Sequence, residues 1–282
     1  MKEKVNEKNN INAFLNKIHK GDNTIVMNEM PDNSIDLVVT SPPYDDLRDY
    51  DNKNKLIWDF NVFKEVAKQL YRIIKKGGVI VWIVGDKTKD GNKSLTSFKQ
   101  ALYFQELGFN IYDVIIYEKA GAGPPHNKRY FNTFEYMLII SKGKPKTVNL
   151  LADKKNSCAG MTTYSEITRR EKDGTLTNKG KKVINEYGVR TNIWRYNNGK
   201  GFSTKDKIAY KHPAIFPEKL VDDHILSWSN PGEIVLDPFG GSGTTAKESI
   251  KLNRKWIYID SVEEYCKIAE ERINKINNED KI

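Results

Sequence analysis

Two hydrophobic periods alternate along the chain. Residues 35–40 (Ile-Asp-Leu-Val-Val-Thr) predict a strand, and residues 79–84 (Val-Ile-Val-Trp-Ile-Val) form a continuous apolar run. Such a run marks a strand buried on both faces of a parallel sheet. Between them Phe60, Phe63, Ala67, Leu70 and Ile74 recur at helical spacing, and Gly77-Gly78 ends that segment. Residues 97–107 predict another helix and 111–117 another strand. Closer to the N-terminus, Thr24-Ile25-Val26 predicts a short strand after Gly21-Asp22. From residue 212 the alternation resumes. A helix over 218–228 leads to a strand over 233–236, a glycine-rich turn, a helix to about residue 252, a strand over 256–260 and a helix over 262–276. Residues 120–211 are only weakly periodic, and 134–140 alone predicts a firm strand there. The pattern predicts an α/β chain with a Rossmann-like, doubly wound, mostly parallel sheet and a loop-rich insert. Its parts are a first half over 11–119, an insert over 120–211 and a second half over 212–276.

Composition sharpens this picture in two places. With 38% hydrophobic and 29% charged residues in 282, the chain has enough apolar side chains for one large domain with an insert. No apolar run reaches the roughly 18–20 residues that span a bilayer, and residues 1–10 are polar, so a cytoplasmic location is expected. Cys158 and Cys266 have no CxxC partner, and His126, His212 and His224 lack ligand spacing, so no metal is expected. The net charge of +9 is concentrated: residues 119–211 carry 20 basic against 7 acidic side chains, while the rest of the chain is slightly acidic. A polyanion held through its phosphates would account for that excess, and so would a solvated lysine-rich surface.

Two turns carry candidate chemistry. Asp237-Pro238-Phe239-Gly240-Gly241-Ser242-Gly243-Thr244-Thr245 lies between a strand and a helix, where open α/β sheets bind ligands. It is neither GxGxxG nor GxxxxGK[ST], which weakens dinucleotide and nucleoside-triphosphate readings. Asp260 ends the next strand, a spacing that suits acceptance of ribose hydroxyls. A carboxylate at Asp237 would suit a cationic amino group. The second turn, Ser41-Pro42-Pro43-Tyr44, closes the strand over 35–40. Its prolines fix the backbone and remove two donors, leaving a rigid, acceptor-rich loop. The Ser41 hydroxyl and the Pro42 carbonyl could each accept one N–H of an exocyclic amino group, while Tyr44 offers a face for a base. A base in duplex DNA reaches such a pocket only by flipping out. The same residues would also make an ordinary strand-closing turn with a serine cap.

The two turns, in this order and separated by a basic insert, resemble the β class of amino-methylating, N4-cytosine or N6-adenine, site-specific DNA methyltransferases. The likeness runs from about Gly21 to Ile273. It implies the fold of S-adenosylmethionine-dependent methyltransferases and S-adenosyl-L-methionine as cofactor. It also implies duplex DNA as partner, with a restriction endonuclease and a homodimer as further candidates. Gly21-Asp22 resembles the segment near the cofactor's adenine, and His212-Pro213 to Lys219-Leu220 the element over its methionine end. Asp237, Phe239, Gly240, Gly241, Ser242, Gly243 and Thr244 match the cofactor turn, and Asp260 the ribose-binding acid. Ser41, Pro42, Pro43 and Tyr44 match the catalytic turn. Tyr258 stands where a glycine is commoner. The insert takes the position of the target-recognition region; within it Lys128, Arg129, Arg190 and Arg195, interleaved with aromatics, are candidate DNA contacts, and Asn132 and Asn192 candidate base readers. Arg48, just after the catalytic turn, is a candidate phosphate contact or a partner in a surface salt bridge. Asp86, at another strand end, would line the pocket or cap the following turn. A serine at the head of the turn favours cytosine N4. Adenine N6 stays open because both bases present a planar amino group, and RNA methylation and non-catalytic DNA binding are the remaining alternatives.

Overall fold

The computed structural model describes residues 10–44, 58–121 and 128–279. The contacts divide them into two units: residues up to Asn149 together with those from Asn192 onward, and Leu150–Thr191.

The first unit is built on an eight-stranded sheet. Its strands, in chain order, are β1 (Lys17–Lys20), β2 (Ile35–Thr40), β3 (Ile74–Val84), β4 (Asn110–Lys119), β5 (Phe134–Ser141), β6 (Ile193–Tyr196), β7 (Ile234–Asp237) and β8 (Lys255–Asp260). They lie in the order β1-β8-β7-β2-β3-β5-β4-β6. Pairing is parallel from β1 through β3, antiparallel where β5 meets β3 and β4, and parallel again between β4 and β6. The expected doubly wound, mostly parallel α/β sheet is what forms. Its helices are α1 (Asn23–Asn28), α2 (Phe60–Ile73), α3 (Thr96–Glu106), α4 (Glu218–Trp228), α5 (Thr244–Lys251) and α6 (Glu263–Glu279).

Strand alternation assigns side chains to two cores. Along β8, Ile257 and Ile259 join Val38, Ile80, Trp82 and Leu236 against Met27 of α1, Phe63 and Leu70 of α2 and Phe104 of α3. Trp256 and Tyr258 face the other way, against Ala246 of α5 and Cys266, Ala269 and Ile273 of α6. No helix among the described residues is long and apolar enough to cross a membrane.

Three sequence expectations change. Thr24-Ile25-Val26 is helical, because the Asp22 carboxylate accepts the N–H groups of Thr24 (2.8 Å) and Ile25 (3.3 Å) and nucleates α1. The first strand lies earlier, at Lys17–Lys20, as a short edge whose register is set by β8. Within residues 120–211, β6 joins the sheet as well as β5, with Trp194 and Tyr196 turned inward and Arg195 outward.

The second unit, Leu150–Thr191, consists of small antiparallel pieces. Thr168–Arg170 pairs with Leu176–Asn178, Lys154–Lys155 with Tyr187–Gly188, and Thr162 bridges to Val183. Its side chains are mostly exposed, including Tyr164, Ile167, Leu176 and Val183.

Candidate active site

Neighbouring parallel strands β7 and β2 send their chains in opposite directions after their carboxyl ends. From β2 the chain continues to α2 and β3 on one side. From β7 it continues to α5 and β8 on the other. The diverging loops open a crevice, the usual ligand position in such sheets. A cavity of about 540 Å³ lies there, within the range of small-molecule sites. It brings together Ser41, Pro43, Tyr44, Asp22, Phe239, Gly240, Gly241, Ser242, Thr244 and Asp260 from the two sequence motifs and their flanks. The Thr40 hydroxyl at the end of β2 donates to the Asp237 carboxylate at the end of β7 at 2.6 Å, tying the two loops together at their roots.

The glycine turn is fixed from several sides. The Gly241 N–H donates to one Asp260 oxygen (2.8 Å) and the Val262 N–H to the other (2.9 Å). The Ser261 N–H also bonds this carboxylate, three donors against four lone pairs, so one is left for a further donor where Asp260 lines the cavity. Burial pushes the Asp260 carboxyl above its ordinary value. Tyr258, where a glycine was the commoner expectation, is fully buried and donates its phenol to the Gly241 carbonyl at 2.8 Å. Its ring leaves no room beside Gly240, where a Cβ would sit 2.1 Å from it. Gly243 adopts φ +78° as the residue before α5, a conformation that favours glycine. Behind the turn, Arg272 is wholly buried. Its guanidinium donates to the Ser242 carbonyl (2.6 Å), the Thr244 hydroxyl (3.0 Å), Glu218 (2.6 Å) and Asp206 (3.1 Å). Lys247 reaches both acids at 2.6 Å. Burial raises the Glu218 and Asp206 carboxyls, and their bonds from Lys247, Thr204 and Arg272 more than reverse this, holding both below the usual carboxylate range.

The Ser-Pro-Pro-Tyr turn is held more lightly. Pro42 is buried and outside the cavity lining, while Ser41, Pro43 and Tyr44 are half-buried within it. The Tyr44 ring lies beside Gly85, where a Cβ would approach it to 3.5 Å. The Ser41 hydroxyl donates to the Tyr44 phenol oxygen at 2.9 Å. The Trp58 ring meets Phe239 edge-on at 5.1 Å and walls the cavity between the two loops.

Several predicted site residues are placed elsewhere. Asp237 is buried and absent from the cavity lining, its oxygens engaged by Thr40, the Phe239 N–H and Thr245. This corrects the suggestion that it faces a cationic ligand group: it braces the loop roots instead. Burial pushes its carboxyl up to about 6. Gly243 shapes the turn without lining the cavity. Lys219 is exposed on α4 and pairs with Asp222 (2.6 Å) and Asp223 (2.8 Å), one helical turn away, so it too leaves the cavity set. Among the candidate DNA contacts, Arg190 is bound by both Asp153 oxygens within its own unit, and Arg195 stands 3.7 Å from Glu118. Arg129 donates to the Gly91 carbonyl, and Lys128 is exposed. Asn192 donates to the Val114 carbonyl at 3.3 Å, and Asn132 is exposed. Arg48 lies outside the described residues. Asp86 caps α3, accepting the Ser97 N–H and hydroxyl at 2.9 Å each.

The cavity also recruits residues that the motifs do not contain. Antiparallel β5 begins where β3 ends, so Glu135 arrives beside the Tyr44 phenol, and Lys119 closes β4 at the same edge. Lys119 and Glu135 are paired at 2.5 Å, and both line the cavity. The signal available in the sequence was a charged residue at the end of an apolar strand. His212 and Tyr265 meet at 4.2 Å over the glycine turn, with His212 Nδ1 accepting the Ala214 N–H at 3.1 Å.

Comparison with known proteins gives concordant matches. The N6/N4 methyltransferase family, described as DNA methylase, matches residues 35–271. The orphan methyltransferase M.BamHII of Bacillus amyloliquefaciens is 56% identical over 243 residues, 86% of this chain and 89% of that protein. Among solved structures, a PvuII DNA methyltransferase described as cytosine-N4-specific superposes with a TM-score of 0.68 at 20% identity, covering 93% of this chain and 90% of the other. A complex of M1.HpyAVI with SAM superposes at 0.59 and 23% identity, covering 92% and 98%.

Proposed function

The chain belongs to the N6/N4 DNA methylase family and methylates an exocyclic amino group of DNA, and from that premise we propose that its target is N4 of cytosine. The observation that carries the proposal is Ser41: a neutral hydroxyl, half-buried in the cavity that also holds the glycine turn and Asp260. The cofactor is S-adenosyl-L-methionine, which when bound supplies an electrophilic methyl on a sulfonium. The cavity suits it chemically. Asp260 keeps a lone pair for a ribose hydroxyl, Phe239 and Trp58 supply aromatic surface, and Asp22 adds a carboxylate near Gly21.

In this reading a flipped cytosine stacks on Tyr44, while Ser41 Oγ accepts one amino N–H bond; Pro42, buried outside the cavity lining, stiffens the turn instead of meeting the substrate. That bond turns the nitrogen lone pair toward the methyl-donating end of the cavity, so that positioning supplies most of the acceleration. The displaced proton leaves to solvent. Within residues 120–211, the basic stretch that contains the compact unit Leu150–Thr191 is proposed as the target-recognition region, holding phosphates through its lysines and arginines. The mechanism requires neither a partnered endonuclease nor a second copy of the chain.

Nucleoside mass spectrometry of DNA from cells expressing the wild type, beside a Ser41→Ala control, tests the assignment. N4-methylcytosine in the wild type alone supports it. N6-methyladenine overturns the choice of base, and no methylated base overturns the reading. Purified Ser41→Ala should lose about 10²- to 10³-fold in turnover, by analogy with removing one oriented hydrogen-bonding group elsewhere, and retain cofactor affinity.

A further inference from the structure

A serine hydroxyl can donate or accept, and it rotates to suit its neighbours. A site for an amino group needs it to accept. The surroundings of Ser41 decide the matter. Its hydroxyl lies 2.9 Å from the Tyr44 phenol oxygen. Among the described residues, that phenol faces two groups that can only accept: the Glu135 carboxylate at 3.1 Å and the Ile83 carbonyl at 3.4 Å. The phenol has one proton, and it serves these acceptors, the charged and nearer one above all. Its oxygen is then left to accept from Ser41. Glu135 cannot swing away easily, because its other oxygen is paired with Lys119 at 2.5 Å.

We propose that Glu135 is a positioning residue that, acting through the Tyr44 phenol, commits the Ser41 proton inward and leaves Ser41 Oγ to present only lone pairs to the substrate. The relay selects for a donor at the reacting atom. An amino group meets lone pairs and is held, whereas a ring nitrogen or carbonyl oxygen meets no proton and is rejected. No bond is made or broken within the relay; its effect is to fix the direction of two hydrogen bonds. The inference rests on the reading of Ser41 as the group that holds the amino nitrogen.

The geometry also says what a neutral replacement does. In Glu135→Gln the amide oxygen is claimed by the Lys119 ammonium, which can only donate, so the amide NH₂ turns toward Tyr44. The phenol then accepts from position 135, and its proton turns either to the Ile83 carbonyl, 3.4 Å away, or to the nearer Ser41 Oγ at 2.9 Å. Whenever it turns to Ser41, the Ser41 proton is released toward the substrate, where it opposes the amino N–H.

Steady-state methylation of duplex DNA and cofactor binding are measured on the full chain for Glu135→Gln, Tyr44→Phe, the double variant and Glu135→Asp. Tyr44→Phe keeps the stacking ring and the Lys119–Glu135 pair, so it remains informative if Glu135→Gln folds poorly. The expectation for each single change is a fall in kcat of about ten- to a hundredfold, the size of one charge-assisted hydrogen bond, with cofactor Kd unchanged within about twofold. The double variant is expected to be no slower than the slower single, because both changes cut one chain. Glu135→Asp is expected to recover part of the loss. Normal kcat in Glu135→Gln or in Tyr44→Phe overturns the proposal, as do losses that multiply in the double variant. Failure of the underlying reading would look different: the wild type itself would leave DNA amino groups unmethylated.

Discussion

The two loops that meet in the cavity follow neighbouring strands, yet they are built in opposite ways. The Asp237–Thr245 turn is over-determined. Tyr258 closes one side of it, Asp260 takes up the Gly241 N–H, and Arg272 grips Ser242 and Thr244 from behind. The Ser41–Tyr44 turn relies on two prolines for stiffness, and its side chains stand half-buried with a single described bond from Ser41. The difference follows from their tasks. A cofactor turn serves every turnover in one shape, so packing can hold it from all sides. A turn that admits a base must leave one face open, and its precision comes from covalent stiffness and a few directed hydrogen bonds.

The comparison can be broken most severely at Arg272. Arg272→Met removes the cation between Asp206 and Glu218 and the donors to Ser242 and Thr244. Losing one side of a buried charge cluster costs about 3–5 kcal/mol. Urea unfolding should show that loss, and cofactor affinity should fall with it. Thermal shifts on adding cofactor would report the coupling, and an Arg272→Met protein of wild-type stability would mean that the turn is not held from behind.

Gly240→Ala attacks the same turn from the Tyr258 side. A Cβ 2.1 Å from a buried ring forces the ring or the turn to move, an overpacking cost of about 1–3 kcal/mol. Calorimetric titration should show weakened cofactor binding. A second change, Tyr258→Ala, should restore room for the alanine, and failure of that rescue would point away from the ring as the obstacle.

Asp237→Asn gives the mildest change, because the amide can still accept from Thr40 and the Phe239 N–H. Burial holds the Asp237 carboxyl at about 6 in the folded chain, against 3.8 as its ordinary value. The folded state therefore binds this proton more tightly than the unfolded state. The associated stability is complete below about 3.8 and is lost as pH rises through 6. Unfolding midpoints of wild type and Asp237→Asn, measured from pH 4 to 8, should converge at the acidic end and separate above pH 6 in favour of the asparagine.

How far the sequence could be read differs between elements for physical reasons. The long strands and the helices α2 to α6 were legible because burial on both faces of the sheet imposes uninterrupted apolar runs and helical spacing. At α1 the β-branched residues Thr24, Ile25 and Val26 suggested a strand, and a local bond network at Asp22 decided otherwise. Short β6 was hidden because only Trp194 and Tyr196 turn inward. Both chemical turns were legible because their prolines and glycines answer to backbone geometry, which is local. Asp237 was assigned from the chemistry of its carboxylate as well as by resemblance, and Lys219 by resemblance alone; their partners in space gave them other work: a brace between loop roots and a helix-surface ion pair.

By itself the sequence determined the α/β alternation, the two turns and their order around a basic segment, and on that order rested the resemblance that pointed to the class of reaction. The alternation and the turns follow from periodicity and from residues whose backbone demands are fixed within a few positions. Only the tertiary structure decided that Thr40 joins Asp237, that Arg272 reaches the glycine turn, and that Glu135 stands behind Tyr44. Each of those contacts spans tens to hundreds of residues along the chain, and a side chain's partner at that range is set by strand order and register, which no local pattern encodes.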